Sequence, residues 1–203
     1  MSITTYEYED RAFLDEESFI QIKKKLDTEA VSKVLDNKTS YFYVLLDKNV
    51  SIASSAEKTV VKYKGGQIGK GNGFVEHEFK LVPESLPEAL QLFTSLLELE
   101  PQVSEQFRIN YQLPDNIEIA LKYTQTWGFH LEAEKTYTAT DESDYEINTS
   151  NSQKALAFLA EKLRIHYITD LEMEQFKKDS EAGLSRGEYS PDEFKTKYGN
   201  LFS

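Results

Sequence analysis

Alternating hydrophobic and polar positions run through most of the chain and predict a protein built largely from β-strands. In residues 6–11, Glu7, Glu9 and Arg11 fall on one face of a strand, and two tyrosines fall on the other. Charges of both signs on one strand face resist burial unless a ligand or opposite charges compensate them. Strand-forming patterns recur farther along the chain, in residues 41–47, 59–64, 74–82, 105–112, 117–123 and 129–137.

Hydrophobic residues at helical spacing predict two helices in the first half of the chain. Asp15 is placed to cap a helix that runs to about Leu26, and Ser85 opens a second helix with a capping-box spacing. Residues 65–73 hold five of the nine glycines in the chain and predict a loop, because glycine weakens both helices and strands.

The last part of the chain is predicted to be helical. Leucines at helical spacing indicate a helix over residues 152–164. Capping boxes at Thr169 and Ser190 begin two more helices. These helices suggest a division of the chain into a body, residues 1–165, and a C-terminal helical extension packed on it, residues 166–203.

The composition limits the classes of partner. A 39% hydrophobic content in 203 residues is enough for one globular domain with a substantial core. The formal net charge of −12 argues against binding to nucleic acid or anionic membranes, which select for basic surfaces. The absence of cysteine excludes disulfides and thiolate chemistry, and no apolar run is long enough to span a membrane. A soluble cytoplasmic protein is therefore predicted.

The charged strand faces suggest the lining of a binding site. If helices cover the apolar faces, the polar faces of at least six strands can turn inward and line a barrel. An acidic wall in that lumen suits Mg²⁺ or Mn²⁺, and a basic wall suits phosphate oxygens, which together favour a metal–polyphosphate site. An open sheet whose charged face is solvated explains the same alternation.

Several short motifs resemble the CYTH superfamily, the triphosphate tunnel metalloenzymes. Glu7-x-Glu9-x-Arg11 is similar to the family's N-terminal Glu-x-Glu-x-Lys motif. Residues 64–66 resemble its lysine–glycine strand end, and residues 128–134 resemble its late glycine-aromatic-x-x-Glu-x-Glu motif. Residues 43–47 resemble the family's second strand, residues 77–78 lie where a glutamate-bearing strand precedes the helix, and residues 104–111 match the strand that ends in lysine-x-arginine, with Arg108 as the arginine.

The resemblance covers about residues 5–165 and implies an α+β fold. In that fold, eight antiparallel strands form a closed barrel, or tunnel, with helices packed outside and a C-terminal helical extension. The tunnel would bind a triphosphate-containing small molecule with one or two divalent ions, Mg²⁺ or Mn²⁺. By the same analogy, the catalytic residues are Arg11 and Lys64, the metal ligands are Glu7, Glu9, Glu132 and Glu134, and the substrate-binding residues are Lys62, Lys80, Arg108, Lys122 and Glu78.

The chain also departs from the family pattern. Arg11 replaces the family lysine, which keeps the charge but exchanges a compact ammonium for a planar fork. Gln106 occupies a basic position beside Arg108, and residues 51–56 lack the expected arginine pair. Lys122 stands where the family usually has an aspartate that assists metal binding. A lysine there opposes a nearby cation and could hold phosphate instead.

Three functions are compatible with these residues. The leading hypothesis is a metal-dependent phosphohydrolase acting on inorganic triphosphate or an organic triphosphate, as a monomer or a homodimer. The second is a degenerate tunnel that binds nucleotide or polyphosphate without turnover, which Lys122 and the missing arginines suggest. The third is a barrel that binds an unrelated small molecule, with charges that serve only the structure.

Overall fold

The computed structural model describes residues 4–45, 48–55, 58–65 and 74–202. Most of the predicted glycine-rich loop, residues 66–73, lies outside the described residues. The strands are β1 Thr4–Phe13, β2 Ser32–Leu35, β3 Lys38–Val44, β4 Lys48–Ser54, β5 Thr59–Gly65, β6 Phe74–Leu81, β7 Gln102–Leu113, β8 Ile117–Thr124 and β9 Gly128–Ala139. The helices are α1 Glu16–Glu29, α2 Leu86–Leu97, α3 Glu142–Leu163, α4 Asp170–Glu181 and α5 Pro191–Tyr198.

The strands form one curled antiparallel sheet in the order β2-β7-β3-β4-β5-β6-β1-β9-β8, and β7 also pairs with β8. The short β2 and the longer β3 pair with β7 in one continuous register, so they act as two halves of a single strand. Asp36 and Asn37 form the break between these halves. Eight strand positions therefore follow one another around the curled sheet.

The join between β1 and β6 is the thinnest in the sheet. Only Tyr6↔Val75 and Glu7↔Phe74 pair there among the described residues, whereas β1 pairs with β9 along its whole length. The predicted α+β class and antiparallel sheet are confirmed. The predicted closed barrel is supported only in part, because the sheet is a curled half-barrel that is nearly open at this join.

Two hydrophobic cores lie on the outer, convex face of the sheet. The larger core packs α1, α3 and α5 against β7, β8 and β9, with Phe19, Leu26 and Leu156 fully or almost fully buried. The smaller core packs α2 against β3, β4 and β5 around the buried Tyr43. The helices therefore cover the apolar strand positions, as predicted, and the polar positions face the concave side.

Most of the predicted helix starts are confirmed. The Asp15 side chain accepts a hydrogen bond from the Ser18 backbone N–H at 2.7 Å, and both capping boxes, at Thr169 and at Ser190, are formed. The predicted capping box at Ser85 is wrong. Its side chain makes no capping hydrogen bond, because Pro83–Ser85 forms a short 3₁₀ turn that leads directly into α2.

Helix α3 is longer than the predicted helix over residues 152–164. It begins ten residues earlier, where the Asp141 side chain accepts a hydrogen bond from the Asp144 backbone N–H at 2.9 Å. The first turns of α3 lack a leucine stripe, so hydrophobic spacing gave no sign of them. They are held instead by aromatic contacts, since the Tyr145 ring lies 4.9 Å from the Tyr6 ring.

The C-terminal residues contact the turn between β8 and β9. The Gly187 backbone N–H donates to the Gln125 carbonyl at 3.0 Å, and a Cβ at Gly187 would lie 2.6 Å from that oxygen. The Tyr123 hydroxyl donates to the Tyr189 carbonyl at 2.7 Å and accepts from the Tyr189 N–H at 2.8 Å. The division at residue 165 stays a prediction. No helix in the described part of the chain has the length and apolar character of a membrane span.

Asp27 ties the end of α1 to the sheet. Its carboxylate accepts a hydrogen bond from the buried Tyr111 hydroxyl at 2.8 Å and forms ion pairs with Lys23 at 2.7 Å and Lys33 at 3.1 Å. Burial opposes ionisation of Asp27, but the hydrogen bonds from Lys23, Tyr111 and Lys33 outweigh it and lower its pKa to about 2. The ionised form is therefore the one that the fold stabilises.

We expect Asp27→Asn to lower the melting temperature at pH 7 by roughly 2–4 °C, or about 1 kcal/mol, since the group is partly exposed and screened. An aspartate in the unfolded chain has a pKa of about 3.9, so the stabilisation is present above that value. It is lost as the pH falls towards the folded pKa of about 2. Thermal melts across this range should therefore show the two proteins converging in acid. Glu174→Gln, at an exposed position of α4, is the control, and a pH-independent difference would contradict the assignment.

Candidate functional site

A cavity of about 360 Å³ lies on the concave face of the sheet. Every strand from β3 to β9, together with β1, contributes inward-facing side chains to its wall. Serine, asparagine and charged residues dominate the lining, because the apolar positions of the same strands face the helices. The basic residues on the wall are Arg11, Lys38, Lys58, Lys62, Arg108 and Lys122, and the acidic residues are Glu9, Asp36, Glu78, Glu118, Glu132 and Glu134.

Eight of the eleven predicted site residues line this cavity. They are Arg11, Lys62, Arg108, Lys122, Glu78, Glu9, Glu132 and Glu134.

Of the other three predicted site residues, Glu7 and Lys80 are not on the cavity wall, and the Lys64 side chain is not among the described residues. Glu7 is buried on β1, opposite Thr136, one step beyond the lining. Lys80 is exposed near the end of β6, opposite Val60. The backbone of Lys64 belongs to β5, and its side chain lies outside the described part of the structure.

The Glu132 carboxylate is the meeting point of three cations. Arg11, directly opposite on β1, donates from Nε to Glu132 Oε1 at 3.0 Å. Lys122 on β8 donates from Nζ to Glu132 Oε2. The Arg108 guanidinium, opposite Lys122 on β7, lies 4.0 Å from the same oxygen. The three cations reach one carboxylate because the register places their strands side by side.

Two further contacts spread this cluster along the wall. Arg11 also forms an ion pair with Glu9, two positions earlier on the same strand. Arg108 donates from Nη2 to Glu118 at 3.3 Å and from Nε to the Asn110 side chain. The wall is therefore a connected network of charges and not a set of independent surface charges.

The electrostatics of the cluster follow from its burial. Burial works against ionisation of Glu132, but Lys122, Arg11 and Arg108 hold the pKa of its carboxyl well below its usual range. Burial, assisted by Arg108, lowers the pKa of Lys122 to about 7, against the opposing effect of Glu132. Burial and the nearby Lys122 lower the pKa of His130 to about 3, so its ring is neutral at physiological pH. Its Nδ1 lies 3.0 Å from the Gly128 carbonyl oxygen.

Sequence reasoning missed the residues at the break between β2 and β3. Lys38 and Asp36 line the cavity and form an ion pair at 2.8 Å. Asp36 faces inward in phase with Lys38 and Ser40, and its backbone N–H donates to the Arg108 carbonyl at 2.9 Å. Burial and the nearby Arg108 lower the pKa of Lys38, with Asp36 opposing this. Asp36, Lys38 and Ser40 are polar residues at every second position, and this pattern could have been used to begin the predicted strand before residue 41.

A row of carboxylates on the cavity wall could hold a divalent ion. Glu9 lies directly opposite Glu134, and Glu134 lies directly opposite Glu118, so three carboxylates form a row across β1, β9 and β8. Mg²⁺ is commonly held by one or two carboxylates together with substrate phosphates, so Glu9 and Glu134 fit this chemistry. Glu132 fits it poorly, because three cations already surround its carboxylate.

No set of three or more histidine, aspartate or glutamate side chains among the described residues is arranged to hold a metal ion without further ligands. A metal in this cavity would therefore need oxygen atoms from the substrate to complete its coordination.

Solved structures with the same architecture identify the fold. PH1012 from Pyrococcus horikoshii OT3 has a TM-score of 0.60 at 20% identity, over 79% of this chain and 91% of that chain. HpAC1 from Hippeastrum, described as having a dominant triphosphatase activity, has a TM-score of 0.54 at 12% identity, over 81% of this chain and 90% of that chain. The chain shares the fold of these structures, which is the fold that the resemblance to the CYTH superfamily implied. No protein-family model and no curated protein matches the sequence.

A third solved structure with this fold matches a larger share of both chains. PH1819 from Pyrococcus horikoshii OT3 has a TM-score of 0.61 at 15% identity, over 85% of this chain and 99% of that chain. At these identities the similarity shows the fold alone. The resemblance that the sequence motifs indicated is therefore confirmed as a tunnel fold, and the roles of the individual site residues stay predictions.

We expect Glu132→Ala to destabilise the protein strongly, by about 3–5 kcal/mol, because three clustered cations lose their shared carboxylate. Urea denaturation at pH 7 measures the difference. Glu118→Ala is the matched control on the same wall, since Glu118 contacts Arg108 and is half-exposed. Equal losses for the two variants would contradict the central position of Glu132.

Proposed function

We propose that the cavity binds the triphosphate group of a small molecule and that the protein hydrolyses it with the help of a divalent ion. The supporting observation is the concentration of six basic side chains on the wall of one cavity in a protein with a net charge of −12. Six acidic side chains line the same wall, so the cavity offers phosphate oxygens a set of fixed cations and not a net positive charge. Its small volume suits a compact polyanion better than extended nucleic acid or an anionic membrane surface. The triphosphatase activity described for HpAC1 supports the same substrate class.

The phosphate contacts are assigned to the basic side chains that face one another across the cavity. Arg11 and Arg108 present planar guanidinium groups, which suit bidentate recognition of phosphate oxygens. Lys122, Lys38 and Lys62 add compact ammonium charges. During cleavage the negative charge spreads over the phosphoryl oxygens and the leaving group, and these fixed cations stabilise it without having to reorganise.

The remaining predicted assignments keep their proposed roles. Lys64 is a proposed catalytic residue, Lys80 is a proposed phosphate contact, and Glu7 is a proposed ligand of the metal. The body, residues 1–165, is proposed to form the tunnel domain, and residues 166–203 are proposed to form its C-terminal helical extension. A cytoplasmic location suits this function, since cytoplasm holds both triphosphates and Mg²⁺.

Glu9 and Glu134 are the residues that would hold Mg²⁺ or Mn²⁺. When bound, the ion would neutralise phosphate charge and lower the pKa of an attacking water. Arg11, which pairs with both Glu9 and Glu132, orients these two carboxylates relative to each other.

A second candidate function is binding of a triphosphate without turnover. The ion pair between Lys122 and Glu132 favours it, because this pair occupies a carboxylate that a metal-dependent hydrolase would use. A cavity that has lost this ligand keeps its phosphate contacts but lacks part of the apparatus that activates water.

We expect release of phosphate from inorganic triphosphate and from ATP in the presence of Mg²⁺ or Mn²⁺, and none in chelator. A colorimetric phosphate assay with the purified protein measures it. Glu9→Ala should reduce the rate at least about tenfold, since it removes a charge from the metal site. Glu174→Ala, at an exposed position of α4, should leave the rate unchanged.

Two outcomes separate the candidate functions. Stabilisation of the protein by triphosphate without phosphate release would overturn the hydrolase and support the binding protein. Neither release nor stabilisation would overturn both, and it would favour a cavity for an unrelated small molecule.

A further inference from the structure

Lys122 lines the cavity, but its side chain is almost completely buried. Its side chain is only 6% exposed, and its ammonium contacts the Glu132 carboxylate. It projects from the centre of β8, between Arg108 on one neighbouring strand and His130 on the other. A buried ammonium persists only with a charged partner and a fixed environment, so its place in the wall is well determined.

The positive charge around Glu132 comes from three side chains, two of which also have a second carboxylate partner, since Arg11 pairs with Glu9 and Arg108 with Glu118. Arg11 donates to one oxygen, Lys122 donates to the other, and Arg108 lies within 4.0 Å. A divalent ion placed at Glu132 would displace Lys122 or lie beside its ammonium, and like charges at such separations repel strongly away from bulk water. Cations clustered in this way suit a polyanion, because its phosphate oxygens can contact them beside their carboxylate partners.

Lys38 extends this basic surface towards the break between β2 and β3. It lines the same cavity, and its ion pair with Asp36 holds it in place beside Arg108. Arg108, Lys122 and Lys38 thus follow one another along β7, β8 and β3, each with a carboxylate partner. Phosphate oxygens that enter the cavity can contact this surface with no bridging ion between them and the protein.

We propose that the Lys122 ammonium takes the place of a divalent ion at Glu132, so that the cavity binds the triphosphate group in the absence of metal. This inference rests on the proposed function, since it concerns the same cavity and the same ligand. Under this proposal, binding and hydrolysis of the triphosphate have different requirements, whereas a metal-dependent tunnel would need the ion for both. Binding requires Lys122, and only hydrolysis requires the ion proposed at Glu9 and Glu134.

Isothermal titration calorimetry with sodium triphosphate, in chelator and in Mg²⁺, tests the proposal on the full chain. The wild-type protein should bind in chelator with a Kd within about threefold of the value in Mg²⁺, a difference of less than about 1 kcal/mol. Lys122→Met should weaken binding in chelator at least about tenfold, because it removes a charge-assisted hydrogen bond. Lys122→Arg, which retains the charge, should recover most of this affinity.

Lys135→Met is the matched control. Lys135 lies on the neighbouring strand β9 but at an outward-facing position, so its replacement should leave the Kd unchanged. Circular dichroism and thermal melts establish that each variant is folded. If Lys122→Met does not fold, the proposal is still tested by the affinities of the wild-type protein in chelator and in Mg²⁺, together with the affinity of Lys122→Arg.

The outcomes distinguish this inference from the function on which it rests. Binding by wild type only in Mg²⁺ would overturn the role of Lys122 and leave a metal-dependent triphosphate site intact. Equal affinities for wild type and Lys122→Met in chelator would also overturn it. Absence of binding under both conditions would overturn the proposed triphosphate site itself.

Discussion

The buried Glu132 carboxylate is the charge on which the arrangement of the cavity wall depends. An ionised carboxylate away from bulk water is very unfavourable unless cations and hydrogen bonds compensate it. Here the compensation comes from Arg11, Lys122 and Arg108, which lie on three different strands. The cluster therefore requires the registers of β1, β7, β8 and β9 to be correct at once. A slip of one residue would turn a whole set of charges towards the apolar helices.

The outer face of the sheet makes this inward arrangement of charges possible. The helices bury the alternate, apolar positions of the same strands, so each strand has a buried face on one side and a charged face on the other. In an open sheet the charged face would be solvated and its ion pairs weak. Curling of the sheet brings the charged faces together, which lowers the local dielectric and strengthens each pair.

The strand periodicity made most of this fold predictable. Glu9, Arg11, Glu132 and Glu134 share inward faces because residues two apart share a face, and this rule needs no tertiary information. Lys38 and Asp36 were missed because the predicted strand was begun at residue 41, although the two-residue period continues back through Ser40 and Lys38 to Asp36. The first turns of α3 were missed because tertiary contacts, such as Tyr145 on Tyr6, hold them in place of a hydrophobic stripe.

The environment of Lys122 could not be predicted from the sequence, because residues more than sixty positions later help to create it. Tyr123, the next residue on β8, exchanges two hydrogen bonds with the backbone of Tyr189, and its ring stacks on Phe194 at 3.7 Å. Gly187 packs against the turn that follows β8 so closely that no side chain would fit there. The C-terminal segment thus clamps the end of the hairpin that carries both Lys122 and Glu132. Rigid support of this kind keeps an ammonium and a carboxylate in contact away from bulk water. In a flexible hairpin, both charged groups would move out into solvent.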